Sequence, residues 1–346
     1  MPIIAPGHFA PAAALPAGGG YNTATLLRNG KVLFLGAGHP ELYDPATNSF
    51  SPAGPMVQER AGPLATLLHD GNVLVFGGTG FGSCSVGTID SIELYDPVTN
   101  RFSAVETNVP SSYQAATLLD DGTVLFTGGT PESCCSESWG TDPYSYSTSA
   151  LFDPKTRTFT RIESDIQPPN GAAIAVLPDH TVLFAGGLVR FIELWLPISS
   201  AVLYQPAMRT FVRLEATTTV PRGSSSATVL PDGRVLIAGS VEDYTGCLDS
   251  CLRSAEMYDP STRRFVPAGS MTVIRNQPTA TLMANGEVLM TGGSPNPANT
   301  AEVWSAGSFH PTAGSMTRER HQTTAVALPD GRVLVVGEGS ADLYQP

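Results

Sequence analysis

The apolar positions of this chain fall into short runs that recur along its whole length. VLFLG, VLVFG, VLFTG, VLFAG, VLIAG, VLMTG and VLVVG begin at Val32, Val73, Val124, Val182, Val235, Val288 and Val333. Runs this short, rich in β-branched residues and ended by Gly, read as buried strands rather than helices. A more mixed strand, such as Thr23 to Leu27, stands ahead of each. Between the two lies Asn29-Gly30, Asp70-Gly71, Asp121-Gly122, Asp232-Gly233, Asn285-Gly286 or Asp330-Gly331. These dipeptides predict type I′ hairpin turns, which need positive φ. His180 replaces glycine in the fourth unit, and His enters that region more readily than most side chains.

A third strand follows in each unit and ends in Tyr43-Asp44-Pro45, Tyr95-Asp96-Pro97 or Tyr258-Asp259-Pro260, with variants at Phe152, Tyr204 and Tyr344. Asp then Pro suits a type I turn. The turn leads to a fourth strand carrying Phe50, Phe102, Phe159, Phe211 or Phe265. From Trp304 to Phe309 the spacing is two shorter, so the sixth turn is rebuilt. The unit repeats about every 50 residues, in the range of propeller repeats. Four short strands cannot bury both faces alone, but seven such sheets packed radially can.

The pattern therefore predicts an all-β, single-domain, seven-bladed β-propeller with four antiparallel strands per blade. The blades are placed at 21–56, 57–108, 109–166, 167–219, 220–271, 272–316 and 317–346. The last unit stops at Tyr344-Gln345-Pro346 without a fourth strand, while Phe9 precedes Ala24 by the same interval that separates Phe50 from Ala65. A strand within about 7–16 is thus expected to complete the seventh blade. Such a latch removes an open edge.

Composition agrees. Gly 35 and Pro 29 favour a turn-rich chain, and 42% hydrophobic against 14% charged residues suffices for a core. The net charge of -12 and the absence of a basic stripe argue against nucleic acid. No apolar stretch is long enough to span a membrane. The first 20 residues lack a basic region and carry several prolines, so they do not read as a signal peptide.

The Gly-Gly after the second strand (Gly77-Gly78, Gly128-Gly129, Gly186-Gly187, Gly292-Gly293), the aromatic ending the third and the Phe in the fourth resemble the Kelch repeat, in seven copies. The resemblance implies a Kelch-type propeller, a fold that serves scaffolds, binding modules and enzymes alike. It also implies that the loops joining strands two to three and four to one share the functional face. In this chain the second-to-third loop is brief in units one, six and seven and long in units two to five. Long loops on a rigid scaffold are where function tends to sit.

Several residues on that face are candidates. Arg60, Arg222, Arg275 and Arg320 recur at one level just before the first strand, where the other units have Gly19, Ser111 and Pro169. They can form a collar for a carboxylate, sulfate or phosphate; hydrogen bonds between blades are the competing role. Tyr113, Trp139, Tyr144, Tyr146, Tyr244 and Tyr21 offer faces to sugar rings or a peptide, or anchor their loops. Leu188 to Pro197, LVRFIELWLP, reads as a short helix over a blade edge, or, if exposed, as a partner patch. Glu59, Glu319 and His321 are the candidates for acid/base work.

All five cysteines, Cys84, Cys134, Cys135, Cys247 and Cys251, lie in the long loops. Cys247 with Cys251, and Cys84 with Cys134 or Cys135, can form two disulfides and leave one thiol. Their spacing suits zinc poorly. Loop staples point to an oxidising compartment, secreted or periplasmic, with any leader absent from this chain. Galactose oxidase-like copper radical oxidases also use Kelch blades, and the resemblance implies a Tyr-His pair ahead of a strand like VALPDGRV. This chain has His321-Gln322 there. We therefore expect no metal or other cofactor, and a monomer. The function read from sequence is a binding propeller for a small acidic carbohydrate, a peptide or a protein. The alternative is a carbohydrate-active epimerase, lyase or oxidoreductase in the same cleft.

Overall fold

A computed structural model describes residues 7–16, 21–36, 38–79, 89, 91–105, 114–129, 148–191, 194–240, 252–293 and 298–346. They form seven four-stranded antiparallel sheets. The first consists of Tyr21–Leu26, Val32–Gly36, Glu41–Asp44 and Ser49–Pro52, each hydrogen-bonded to the next. Sheets of the same order occupy residues 64–105, 115–161, 173–213, 226–270 and 279–311. The seventh contains Thr324–Ala327, Val333–Gly337 and Ser340–Gln345, and His8–Pro11 adds its outer strand with Phe9 opposite Tyr344.

The Val-Leu strands have no polar face because both of their faces are core. Side chains of a strand alternate between faces, so Val32 and Phe34 turn toward Leu334 and Val336 of the seventh blade. Leu33 and Leu35 turn toward Val73 and Val75 of the second. One apolar cluster fills each gap, the last-to-first gap included, which makes the blades a ring. Each large side chain so buried contributes roughly 1.5–3 kcal/mol. The aromatic repeat adds a rivet to each of the first five blades. Tyr43–Phe50, Tyr95–Phe102, Phe152–Phe159, Tyr204–Phe211 and Tyr258–Phe265 place ring centroids 4.8–5.0 Å apart. Phe9–Tyr344, at 5.0 Å, reproduces the same contact across the latch.

Two local expectations need correction. The Asn-Gly and Asp-Gly turns are not type I′, because only the glycine has positive φ, 82° at Gly30 and 89° at Gly331. The N–H of Gly30 donates to Leu27 and that of Leu27 to Lys31, the three-residue loop of a type I turn followed by a left-handed residue. The preceding Asn or Asp side chain selects it by accepting the N–H two residues on, as Asn29 does from Lys31 at 3.0 Å and Asp330 from Arg332 at 3.1 Å. His180 adopts the left-handed conformation in the fourth blade, at φ 70°. A true pair of left-handed residues occurs at Ala306-Gly307, the shortened sixth turn.

The segment LVRFIELWLP is a β-hairpin rather than a short helix, with Leu188–Phe191 paired to Leu194–Pro197. Its base is stapled on both sides. Leu188 N–H donates to the Asn170 carbonyl, Gly187 N–H to that of Arg222, and Arg222 N–H to that of Ile198. These external partners favour extended backbone, which a helix could not offer them. No helix among the described residues is long and apolar enough to cross a membrane.

Candidate functional site

Among the described residues, the ends of the second strands and the starts of the third and first strands lie at one end of the ring, opposite the tight Asx-Gly and Asp-Pro turns. On the turn end, a groove between the fourth and fifth blades is lined by Pro178, Asp179, Asp232, Arg234 and Asp259. Its carboxylates serve their own turns: Asp179 accepts from Thr181, Asp232 from Arg234, and Asp259 from Ser261. Those bonds hold Asp232 and Asp259 below the usual carboxylate range.

The four arginines stand at the crossing end but point into their blades. Arg60, Arg222 and Arg320 are fully buried and Arg275 is 1% exposed. Each is paired with a carboxylate of its own third strand, Glu93, Glu256, Glu302 or Asp342. Arg60 shows the design. Its Nη1 donates to the carbonyls of Gly77 (3.1 Å) and Ser91 (2.9 Å), and its Nη2 to Ser91 Oγ (2.9 Å) and Glu93 Oε1 (2.8 Å). Arg222 and Arg275 repeat this with Gly239, Ser254 and Glu256, and with Gly292, Thr300 and Glu302. Burial pulls the Arg222 and Arg275 guanidiniums below their ordinary range, while the carboxylates oppose that.

The guanidinium bonds therefore run within one blade, not between blades, and tie the incoming segment to strands two and three. The carboxylate takes a second grip on that segment through the N–H of Val57, Thr219, Thr272 or Thr317. The donors of Arg60, Arg222 and Arg275 are all engaged in this way, which leaves them nothing to offer an anion. Arg320 differs because Asp342 is one methylene shorter than Glu. Its guanidinium turns so that Nη1 reaches Asp342 at 2.6 Å, Nε reaches Ser340 Oγ at 3.0 Å, and Nη2 is buried without a partner.

The carboxylates are what sequence reading missed. Their signal was an acidic residue two positions before the aromatic of the third strand, present where the arginine is present. The first blade has the acid, Glu41, but Gly19 at the arginine position. Glu41 is 5% exposed, and its Oε2 has no hydrogen-bond partner. Burial raises its carboxyl above the ordinary value, partly offset by His39.

Glu59, Glu319 and His321 are exposed, on the second and seventh blades, with the first blade between them. The His321 backbone N–H donates to Glu338 at 2.9 Å. Trp195 stands 45% exposed on the stapled hairpin. Tyr113, Trp139, Tyr144, Tyr146, Tyr244 and all five cysteines lie outside the described residues, as does the side chain of Tyr21.

No family model and no curated protein matches the sequence. Among solved structures, the chain is similar to a novel fungal alcohol oxidase of the AA5 family, with catalytic diversity, solved in complex with copper. The similarity has a TM-score of 0.70 and 18% identity, and covers 98% of this chain and 76% of that one. It is a likeness of fold: both are propellers. The described residues do not fit that copper. Of the six histidines, His69 and His180 sit on far-end turns and His8 and His310 on outer strands. His39 and His321, at the crossing end, are both exposed, and Gln322 follows His321. Among the described residues no three His, Cys, Asp or Glu converge.

Proposed function

We propose that this chain is a binding propeller that takes a carbohydrate or peptide on its crossing face. The observation that carries this reading is the hairpin at residues 188–197. It is the one described excursion that forms its own sheet. It is stapled to the segments leading into two blades, and it holds Trp195 toward solvent. An exposed Trp on a rigid support is a suitable platform for a sugar ring or a peptide side chain. Tyr113, Trp139, Tyr144 and Tyr244 belong to the same face by sequence and are proposed as further contacts. The arginine collar is left out of this reading, since its charge is neutralised inside the blades.

A second reading is favoured by the fold likeness to the alcohol oxidase: an oxidoreductase, or another carbohydrate-active enzyme, working at the same face. One experiment separates the two. Glycan and peptide arrays are probed with the intact protein, and each hit is followed by NMR over time. Binding without turnover, weakened by Trp195→Ala, supports the first reading. Chemical change in the hit supports the second, and arrays with no hit contradict the first.

A secreted or periplasmic location accompanies the binding reading through the loop cysteines. Titration of the denatured, unreduced protein is then expected to find about one free thiol; five would remove the disulfides from the picture.

A further inference from the structure

The arginine–carboxylate unit repeats with a regular register. In the second, fifth, sixth and seventh blades the arginine lies 17 residues before the glycine that ends the Val-Leu strand, and it donates to that glycine's carbonyl. The carboxylate sits opposite the third residue of the Val-Leu strand: Glu93 opposite Val75, Glu256 opposite Ile237, Glu302 opposite Met290, Asp342 opposite Val335. A Ser or Thr two residues before the carboxylate supplies a hydroxyl to the same guanidinium.

The third and fourth blades lose both halves together. Ser111 and Pro169 stand at the arginine position, and the carboxylate register holds Ala150 opposite Phe126 and Val202 opposite Phe184. The fold therefore packs at this register without an acid. The first blade keeps the acid and loses the cation. Counting 17 back from Gly36 gives Gly19, yet Glu41 stays in register opposite Phe34. The second donor is gone as well. The residue three before the arginine, whose N–H serves the carboxylate in four blades, is here Pro16, which has no N–H. His39 replaces the hydroxyl.

Glu41 is thus a buried carboxylate stripped by sequence of both partners its sisters have, and its Oε2 is unpartnered. Such a group costs free energy unless a cation or donor reaches it. Its register also places Gly36 and His39 where the sister blades present carbonyls to a guanidinium. A planar guanidinium matches a carboxylate flanked by carbonyls better than a point charge does. A net charge of -12 favours a cationic ligand over long range.

We propose that the first blade binds the guanidinium group of a ligand at Glu41, with the carbonyls of Gly36 and His39 completing the acceptor set. The ligand supplies in trans what Arg60, Arg222, Arg275 and Arg320 supply in cis. This goes beyond the reading of the larger face and stands whether or not that face takes a sugar. Two sources carry the chemistry, a free guanidino compound and an arginine side chain of a protein.

The test is thermal unfolding of the full chain with millimolar methylguanidinium, and in parallel with a blocked Gly-Arg-Gly tripeptide. Wild type is expected to show a saturable rise of about 2 °C at tenfold the dissociation constant. Glu41→Gln is expected to abolish it. Gly19→Arg is expected to abolish it too, since the slot is then filled from within. Tighter binding of the tripeptide assigns the site to a protein arginine, and equal binding to a free guanidino compound. No saturable rise in wild type, or an equal rise in Glu41→Gln, overturns the proposal. Should Gly19→Arg fail to fold, the Glu41→Gln comparison decides alone.

Discussion

A guanidinium removed from water is tolerated only with its counter-charge in place, and the arginine units of this ring depend on that condition. Arg275→Ala would leave Glu302 buried and unpaired, at a cost of about 3–5 kcal/mol. The double change Arg275→Met with Glu302→Leu removes both charges and is expected to recover most of the loss, as read by urea denaturation. A double variant no more stable than the single one would refute the pairing argument. Glu41 gives the complementary case. Its folded pKa lies above the ordinary 4.5, so the stability tied to its protonated form is fully present below that value. That stability is lost as pH rises through the raised folded value. Glu41→Gln should therefore unfold later than wild type at pH 7, and the advantage should vanish below about pH 4. An advantage that persists unchanged at low pH would contradict this.

Single elements show how far local pattern carries. The strand His8–Pro11 was readable because Phe9 occupies the slot that Phe50 and its counterparts fill elsewhere, and the ring contact with Tyr344 repeats theirs. Deleting residues 1–16 removes that rivet and bares the outer edge of Ser340–Gln345. The midpoint of thermal unfolding should fall by many degrees, and the truncated chain should self-associate through the bared edge. An unchanged melt would show that the latch is dispensable. The hairpin at residues 188–197 was not readable in the same way. A ten-residue apolar run with neither a period of two nor of 3.6 fits a helix or two strands equally. The choice fell to Asn170 and Arg222, whose backbones offer hydrogen bonds only to an extended partner.

For the whole molecule, closure is the governing fact. Seven sheets pack through seven gaps, and the outer edge of each sheet is its fourth strand. Several of these carry proline, at Pro11, Pro52, Pro267 and Pro311. Proline on an edge strand withholds a donor and discourages pairing with another chain. With a net charge of -12 adding mutual repulsion, light scattering at neutral pH is expected to give one 36.3 kDa chain. A mass twice that would mean that some face other than a strand edge joins copies.

The sequence by itself determined the number of blades, their strand order and the latch. Those features rest on local signals: a hairpin turn and a doubly buried strand repeated seven times, and an aromatic at a set distance from the next in five of the units. Only the tertiary structure decided what the charged residues do. Arg60 was legible as one of a recurring set, but not as a strut. Apart from the Gln58 carbonyl, its acceptors come from residues 17 to 33 positions downstream, and only packing brings them together away from water. Glu41 was invisible for the same reason. An acid in a strand is unremarkable until the fold buries it among sisters that each hold a cation, and burial without a partner is a property of the packed ring rather than of the string.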